Sequence, residues 1–225
     1  MQVDLRTVSA TICMPVYGSI PPWTVMSLVS TISQCAASGI RVEFVMEQGL
    51  VEIGRDALLD DFLRGDTDKL FWIDSDMTWE PGDFLRLLAH STRKGIVCAT
   101  YPRKIDGPTQ FQIMMEPAVQ QDELGLLPIK GAGLGFTVID RAVCQQIADS
   151  KPWVSDGLNG RTMRSVFRLD AIDGRRRSED MAFFADLAEL GHQVWLDPMI
   201  NLGHVGMREW KGVVRDAFTI GDQHG

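Results

Sequence analysis

The chain has 225 residues, of which 45% are hydrophobic and 23% charged, and its formal charge is −8. That length suits one large domain with a sizeable core, and the composition excludes a disordered chain. The acidity argues against a general nucleic-acid binder. With no apolar run of about 18 residues, no membrane span is expected.

In chain order, residues 9–16 ("SATICMPV") read as a buried first strand. Pro21-Pro22 then opens a helix, with Val25, Leu28, Val29, Ile32, Cys35 and Ala36 on one stripe and Gly39 as its stop. Residues 41–46 alternate and suggest a second strand. A short helix is expected over 56–63 and a strand over 70–73. Pro81-Gly82-Asp83 starts another helix, and 96–100 is strand-like. Strands alternating with helices predict an α/β fold, a mostly parallel open sheet with helices on both faces.

The second half is less regular. Short strands and turns are expected over 101–135, a strand over 136–139, a helix over 141–150, and a loop region over 151–177. A helix over 179–190 and a strand over 194–196 follow. From residue 201 the chain reads as polar and irregular. One domain is predicted, with a first half (1–100), a smaller second half (101–206) and a flexible tail or lid (207–225).

The four cysteines, Cys13, Cys35, Cys98 and Cys144, sit in apolar surroundings without a Cys-x-x-Cys pair. They read as buried free thiols in a reducing compartment. The N-terminus carries acids and lacks an apolar signal core, so a cytoplasmic protein is expected. Charge is unevenly placed. Residues 161–177 hold six arginines against Asp170 and Asp173, so this segment is +4 and the remainder −12.

Chemistry concentrates in three places. The first is Asp74-Ser75-Asp76, directly after an apolar run. Carboxylates about 4 Å apart repel by roughly 1 kcal/mol in water and more in a cleft, so such a pair calls for a cation, a shared proton or a basic partner. Oxygen ligands suit Mg²⁺ or Mn²⁺. The plainer alternative is a turn or helix cap. The second is Ser178-Glu179-Asp180 at a helix start, where Asp180 shares a stripe with Phe183, Phe184 and Leu187 and so points inward. The third is His204, set between Gly203 and Gly206, whose neutral imidazole would suit Mn²⁺. In open α/β sheets ligands bind beyond the carboxyl ends of strands. That places residues 15–18, Glu47, Asp74 and Asp76 around one crevice.

Taken in order, "PVYG", "GRDALLDDFL", "FWIDSDM", "GAGLGFTVIDR", "SEDMAFFADLAELGHQVWLDP" and the late "GH" resemble a nucleotide-sugar glycosyltransferase of the GT-A fold, near the small family-two-like enzymes of bacteria and bacteriophages. The resemblance spans about residues 9–206. It implies that Pro15, Val16, Tyr17 and Glu47 cradle the nucleotide base. Asp74 would face the ribose or sugar and share the metal with Asp76 and His204. Glu179 and Asp180 would face the acceptor as the catalytic acids: Asp180 is the base if transfer inverts the anomeric centre, and Asp180 or Glu179 steadies a positive sugar-like transition state if it retains. Arg55 would contact the diphosphate; a cation near a helix start fits an anion bound there. Gly133 and Gly135 would line the donor sugar, and Lys211 would close over the diphosphate. The implied cofactor is Mn(II) or Mg(II), and the implied donor a nucleotide-diphosphate sugar, with UDP favoured.

The Gln-x-x-Arg-Trp signature of processive synthases is absent, so single-sugar transfer is expected. The arginine-rich segment favours an acidic acceptor, either an anionic polymer or a hydroxylated DNA base; a solvated charged loop is the alternative. A phage-encoded enzyme would act in the host cytoplasm. Rival readings are a nucleotidyltransferase, disfavoured because "MPVYGSIPP" lacks a basic residue, a glycoside hydrolase, and a non-catalytic nucleotide-sugar-binding module.

Overall fold

The computed structural model describes residues 3–217 apart from 117, 156–159, 173 and 207. Strand β1 (Ala10–Val16) is buried throughout its length. Helix α1 (Pro22–Ala37) begins on Pro22, whose missing N–H would have had no helical partner there. It buries Thr24, Leu28, Thr31 and Cys35, and Gly39, at φ +71°, turns the chain out of it. Then come β2 (Val42–Gln48), α2 (Val51–Arg64), β3 (Lys69–Ile73), β4 (Met77–Thr78), α3 (Pro81–His90) and β5 (Ile96–Cys98).

The second half contains β6 (Ile113–Met114), β7 (Leu127–Ile129), β8 (Gly131–Ala132), β9 (Phe136–Asp140) and α4 (Arg141–Asp149). These are followed by β10 (Trp153–Ser155), β11 (Thr162–Arg164), β12 (Asp170–Ile172), β13 (Arg175–Arg177), α5 (Glu179–Glu189), β14 (Val194–Leu196), β15 (Asn201–Val205) and β16 (Glu209–Val213).

Seven strands make the central sheet, in the order β2-β1-β3-β9-β5-β14-β7. β1 pairs in parallel with β2 and β3, and β14 with β5. β9 runs antiparallel between β3 and β5, and β7 antiparallel beside β14. The sheet is therefore mostly parallel, as expected. Its two faces carry separate cores. Leu70 and Trp72 point toward Leu58, Phe62, Ile147 and Phe183, while Phe71 and Ile73 point toward Leu28, Phe84 and Leu87. Burial on both faces explains the unbroken apolar run of β3. All four cysteines are free and buried, as the sequence implied, and no described helix is long and apolar enough to cross a membrane.

Three expectations are corrected. Helix α2 begins at Val51 rather than near residue 56; Gly54 lowers its apparent propensity, and no side-chain cap marks its start. The expected loop over 151–177 contains two hairpins, β10–β11 and β12–β13. The expected irregular tail contains the hairpin β15–β16, which joins β4 in a three-stranded sheet. Residue 207 and residues 218–225 of the expected lid lie outside the described residues.

Asp56 on α2 ties down the segment between β11 and β12. Its carboxylate accepts N–H bonds from Val166 (2.8 Å) and Phe167 (2.9 Å). Phe167 in turn stacks on Phe183 at 4.8 Å and meets Trp72 edge-on at 5.6 Å. Burial pushes the Asp56 carboxyl up to about 7, against the two N–H bonds that favour its ion. Its stabilising contribution is complete below the ordinary carboxylate range and is lost as pH rises toward 7. Asp56→Asn keeps the acceptor oxygen and removes the charge. In urea melts across pH 5–8, the variant should gain on the wild type with rising pH, by on the order of 2 kcal/mol at pH 8. Equal slopes in the two proteins would refute this account.

Candidate active site

The carboxyl ends of β1 and β3, the first turn of α5 and the turn of β15 meet at one cleft of about 280 Å³. It is lined by Pro15, Tyr17, Ser19, Val51, Arg55, Asp74, Ser75, Asp76, Glu179 and His204. β3 pairs with β9 as far as Ile73 and Phe136, and the Asp74 N–H then donates to the Gly135 carbonyl (3.1 Å). The chain turns, with the Met77 N–H on the Asp74 carbonyl (3.2 Å), and enters β4. That turn sends Asp74 and Asp76 to different partners.

Asp74 faces inward. One oxygen accepts from Arg55 Nη2 at 2.8 Å and the other from the Tyr101 hydroxyl at 3.4 Å. Arg55 is 1% exposed. Its guanidinium lies 5.3 Å from the Trp72 ring and 5.9 Å from Phe167, with Asp180 at 3.5 Å and Glu179 at 3.9 Å. Burial would lower the pKa of Arg55, but Asp74, Asp180 and Glu179 outweigh it and hold the guanidinium charged. So the anion that explains Arg55 near a helix start is a group of the protein's own carboxylates.

Asp180 is the most perturbed acid here. Burial pushes it up to about 7 against the pull of Arg55, with Glu179 and Asp74 adding to the rise. Its Oδ1 is buried without a hydrogen-bond donor, and Arg55 Nε and Nη1 are buried without an acceptor. Ser178 caps α5 through the Met181 N–H (3.4 Å), which fixes Glu179 and Asp180 in the first turn.

Asp76 has other partners: its carboxylate meets Lys104 and His204 Nε2, the latter at 3.4 Å. Burial would raise Asp76, but hydrogen bonds from His204 and Lys104 outweigh it and hold the carboxyl below its ordinary value. His204 Nδ1 lies 2.8 Å from the Pro102 carbonyl, which can only accept, so this nitrogen carries a proton and the ring is fixed with Nε2 toward Asp76. A carboxylate and an imidazole nitrogen aimed at one point are a partial donor set for Mn²⁺ or Mg²⁺. Asp74 is turned toward Arg55 and Tyr101 instead, and among the described residues no three His, Cys, Asp or Glu side chains converge as a metal centre.

The other sequence-predicted residues divide. Tyr17, 76% exposed, stands at the mouth. Val16 is packed in the core behind Pro15. Glu47 lies beside Pro15 in the sheet register, off the cleft lining. Gly135 backs the acids, since a Cβ there would come within 2.6 Å of Asp74 Oδ2, and a Cβ at Gly133 would strike the Tyr101 hydroxyl. Lys211 is not in this cleft; it pairs with Glu209 at 3.2 Å on β16 and lines two neighbouring depressions. Sequence reasoning missed Tyr101 and Lys104. Their one signal was position, directly after strand β5.

The arginine-rich segment is largely neutralised. Arg161 bonds Asp60 and Asp61, Arg164 approaches Asp149, Arg168 pairs with Asp186, and Arg177 with Asp170. Arg175 and Arg176 remain exposed, and Asp173 lies outside the described residues.

No protein-family profile and no curated protein matches the chain by sequence. Solved structures do match its fold. A197 from STIV superposes with a TM-score of 0.56 at 18% identity, over 88% of this chain and 86% of that one. GalNAc-T7, solved with UDP, GalNAc and Mn²⁺, superposes with a TM-score of 0.56 at 9% identity. It shares 88% of this chain but only 44% of its own length. The fold is that of the GT-A glycosyltransferases.

Proposed function

We propose that the chain transfers a single sugar from a nucleotide-diphosphate sugar to a hydroxyl acceptor. One observation carries this reading: a GT-A sheet delivers Asp74, Asp76, Glu179 and His204 to one cleft, with Asp180 directly beneath at Arg55. In this reading Pro15 and Tyr17 receive the nucleotide, and UDP is the favoured nucleotide because GalNAc-T7 was solved with UDP. Asp76 and His204 would hold a divalent cation, Mn²⁺ or Mg²⁺. When bound, it would offset the charge of the departing diphosphate.

The protein's own groups do the rest. The acceptor oxygen bonds to the anomeric carbon, the bond from that carbon to the diphosphate breaks, and the acceptor proton passes to Asp180. Asp180 suits this task, because its Oδ1 has no donor of its own and its affinity for a proton is raised toward neutrality. Arg55 pairs with Asp74 at 2.8 Å and approaches Glu179 at 3.9 Å and so holds these two carboxylates in place. The acceptor is read as an anionic polymer or a hydroxylated DNA base, supported by Arg175 and Arg176 just before α5.

A melting-temperature screen of UDP-, GDP- and dTDP-sugars, with and without Mn²⁺, tests the class. The expected result is a shift for one nucleotide that grows when Mn²⁺ is present, and loss of the Mn²⁺-dependent part in Asp76→Ala. If no nucleotide sugar moves the melting temperature in either condition, the reading is wrong.

A further inference from the structure

The loop after β5 is a built support. The Arg103 N–H donates to the Gln110 carbonyl at 2.8 Å, and Pro102 bridges to Phe111. The Ile105 N–H closes a tight turn on the Arg103 carbonyl at 2.8 Å, which leaves Lys104 at its tip. The β15–β16 hairpin pins the turn from the other side. His204 bonds the Pro102 carbonyl, the Trp210 indole donates to the Ile105 carbonyl at 3.1 Å, and Arg208 pairs with Asp106. Lys104 is therefore held at both flanks, its stem close to Gly206 and its ammonium on Asp76.

The ammonium meets the same Asp76 oxygen that His204 Nε2 faces. Lys104 is the cation that the fold sets on this oxygen, beside the imidazole. We propose that Lys104 is a tethered, displaceable counter-ion that sets how tightly Asp76 takes a divalent cation. This rests on the reading of Asp76 and His204 as cation ligands. Lys104 would act through Asp76, as a positioning residue. Two competing cations on one carboxylate exclude each other by mutual repulsion, so metal entry must displace the ammonium. An ammonium freed in this cleft finds its next anion in a bound diphosphate, which would make the two ligands favour each other.

The test is Mn²⁺ binding to the protein without nucleotide or acceptor, read from the loss of the free-ion electron paramagnetic resonance signal. Lys104→Met keeps the stem's length and removes the charge; it should bind Mn²⁺ at least about tenfold more tightly than wild type. Lys104→Arg keeps a cation on the turn and should stay near the wild-type affinity. The gain should vanish in the Asp76→Asn/Lys104→Met double variant. Melting temperatures establish that each variant is folded. Equal or weaker Mn²⁺ binding by Lys104→Met overturns the proposal, as does a gain that survives loss of the Asp76 carboxylate. Because no nucleotide sugar is used, these failures are distinct from a null in the donor screen, which bears on the function alone.

Discussion

Arg55→Met should be the most damaging single change in the chain, lowering stability by about 3–5 kcal/mol. The variant deletes the buried cation that Asp74, Glu179 and Asp180 share and leaves three largely buried carboxylates together. It also breaks the contact between the guanidinium and the rings of Trp72 and Phe167. The stranded acids then recover stability only by binding protons. The deficit should accordingly be largest at pH 8 and shrink toward pH 5, because the folded variant takes up protons that its unfolded chain releases. Urea melts at the two pH values measure both quantities. Arg55→Lys should not rescue, since an ammonium cannot serve several carboxylates from one plane. A pH-independent loss would show that Arg55 matters for packing and not for charge.

Asp180→Asn should lower the rate of transfer by about 10²- to 10⁴-fold, the range of a lost general base, while the donor-induced melting shift stays intact. The base works only when ionised. Since burial holds Asp180 near 7, wild-type turnover should climb through neutral pH and level off above it, and the residual rate of the variant should lack that rise. Loss of donor binding in Asp180→Asn would remove it from the acceptor side and defeat the assignment. Glu179→Gln is the control, because Glu179 lines the cleft on the same turn but lies farther from the Arg55 guanidinium, at 3.9 Å.

The alternating elements were legible because apolar periodicity is strong where both sheet faces are buried. The acids were legible for the opposite reason: Asp74, Asp76 and Asp180 interrupt or share apolar patterns, and a chain keeps such charges near its core only with partners. What stayed hidden has physical causes. Arg55 stands out as a cation needing an anion, but its burial depends on Trp72, Phe167 and three distant acids, which no local window shows. Tyr101 and Lys104 sit in a loop without periodicity. The β15–β16 hairpin escaped because Gly203 blurs its alternation. The glycine is a packing demand, as a Cβ there would collide with the Thr78 hydroxyl and the Glu209 carboxylate across the small sheet. The arginine-rich segment misled in charge, since its formal +4 is mostly spent on Asp60, Asp61, Asp149 and Asp186 from outside the segment.

The place of His204 in the final hairpin has a temporal meaning. A chain emerging from the ribosome can pair the strands of the central sheet once β14 is out, while β4 still lacks its partner β15, and Asp76 lacks both the Val205 N–H on its carbonyl (2.7 Å) and the His204 imidazole beside its carboxylate. The large sheet would thus be complete before the cleft is. Removing β15 and β16 should leave most of the circular-dichroism spectrum and release Asp76 from its place.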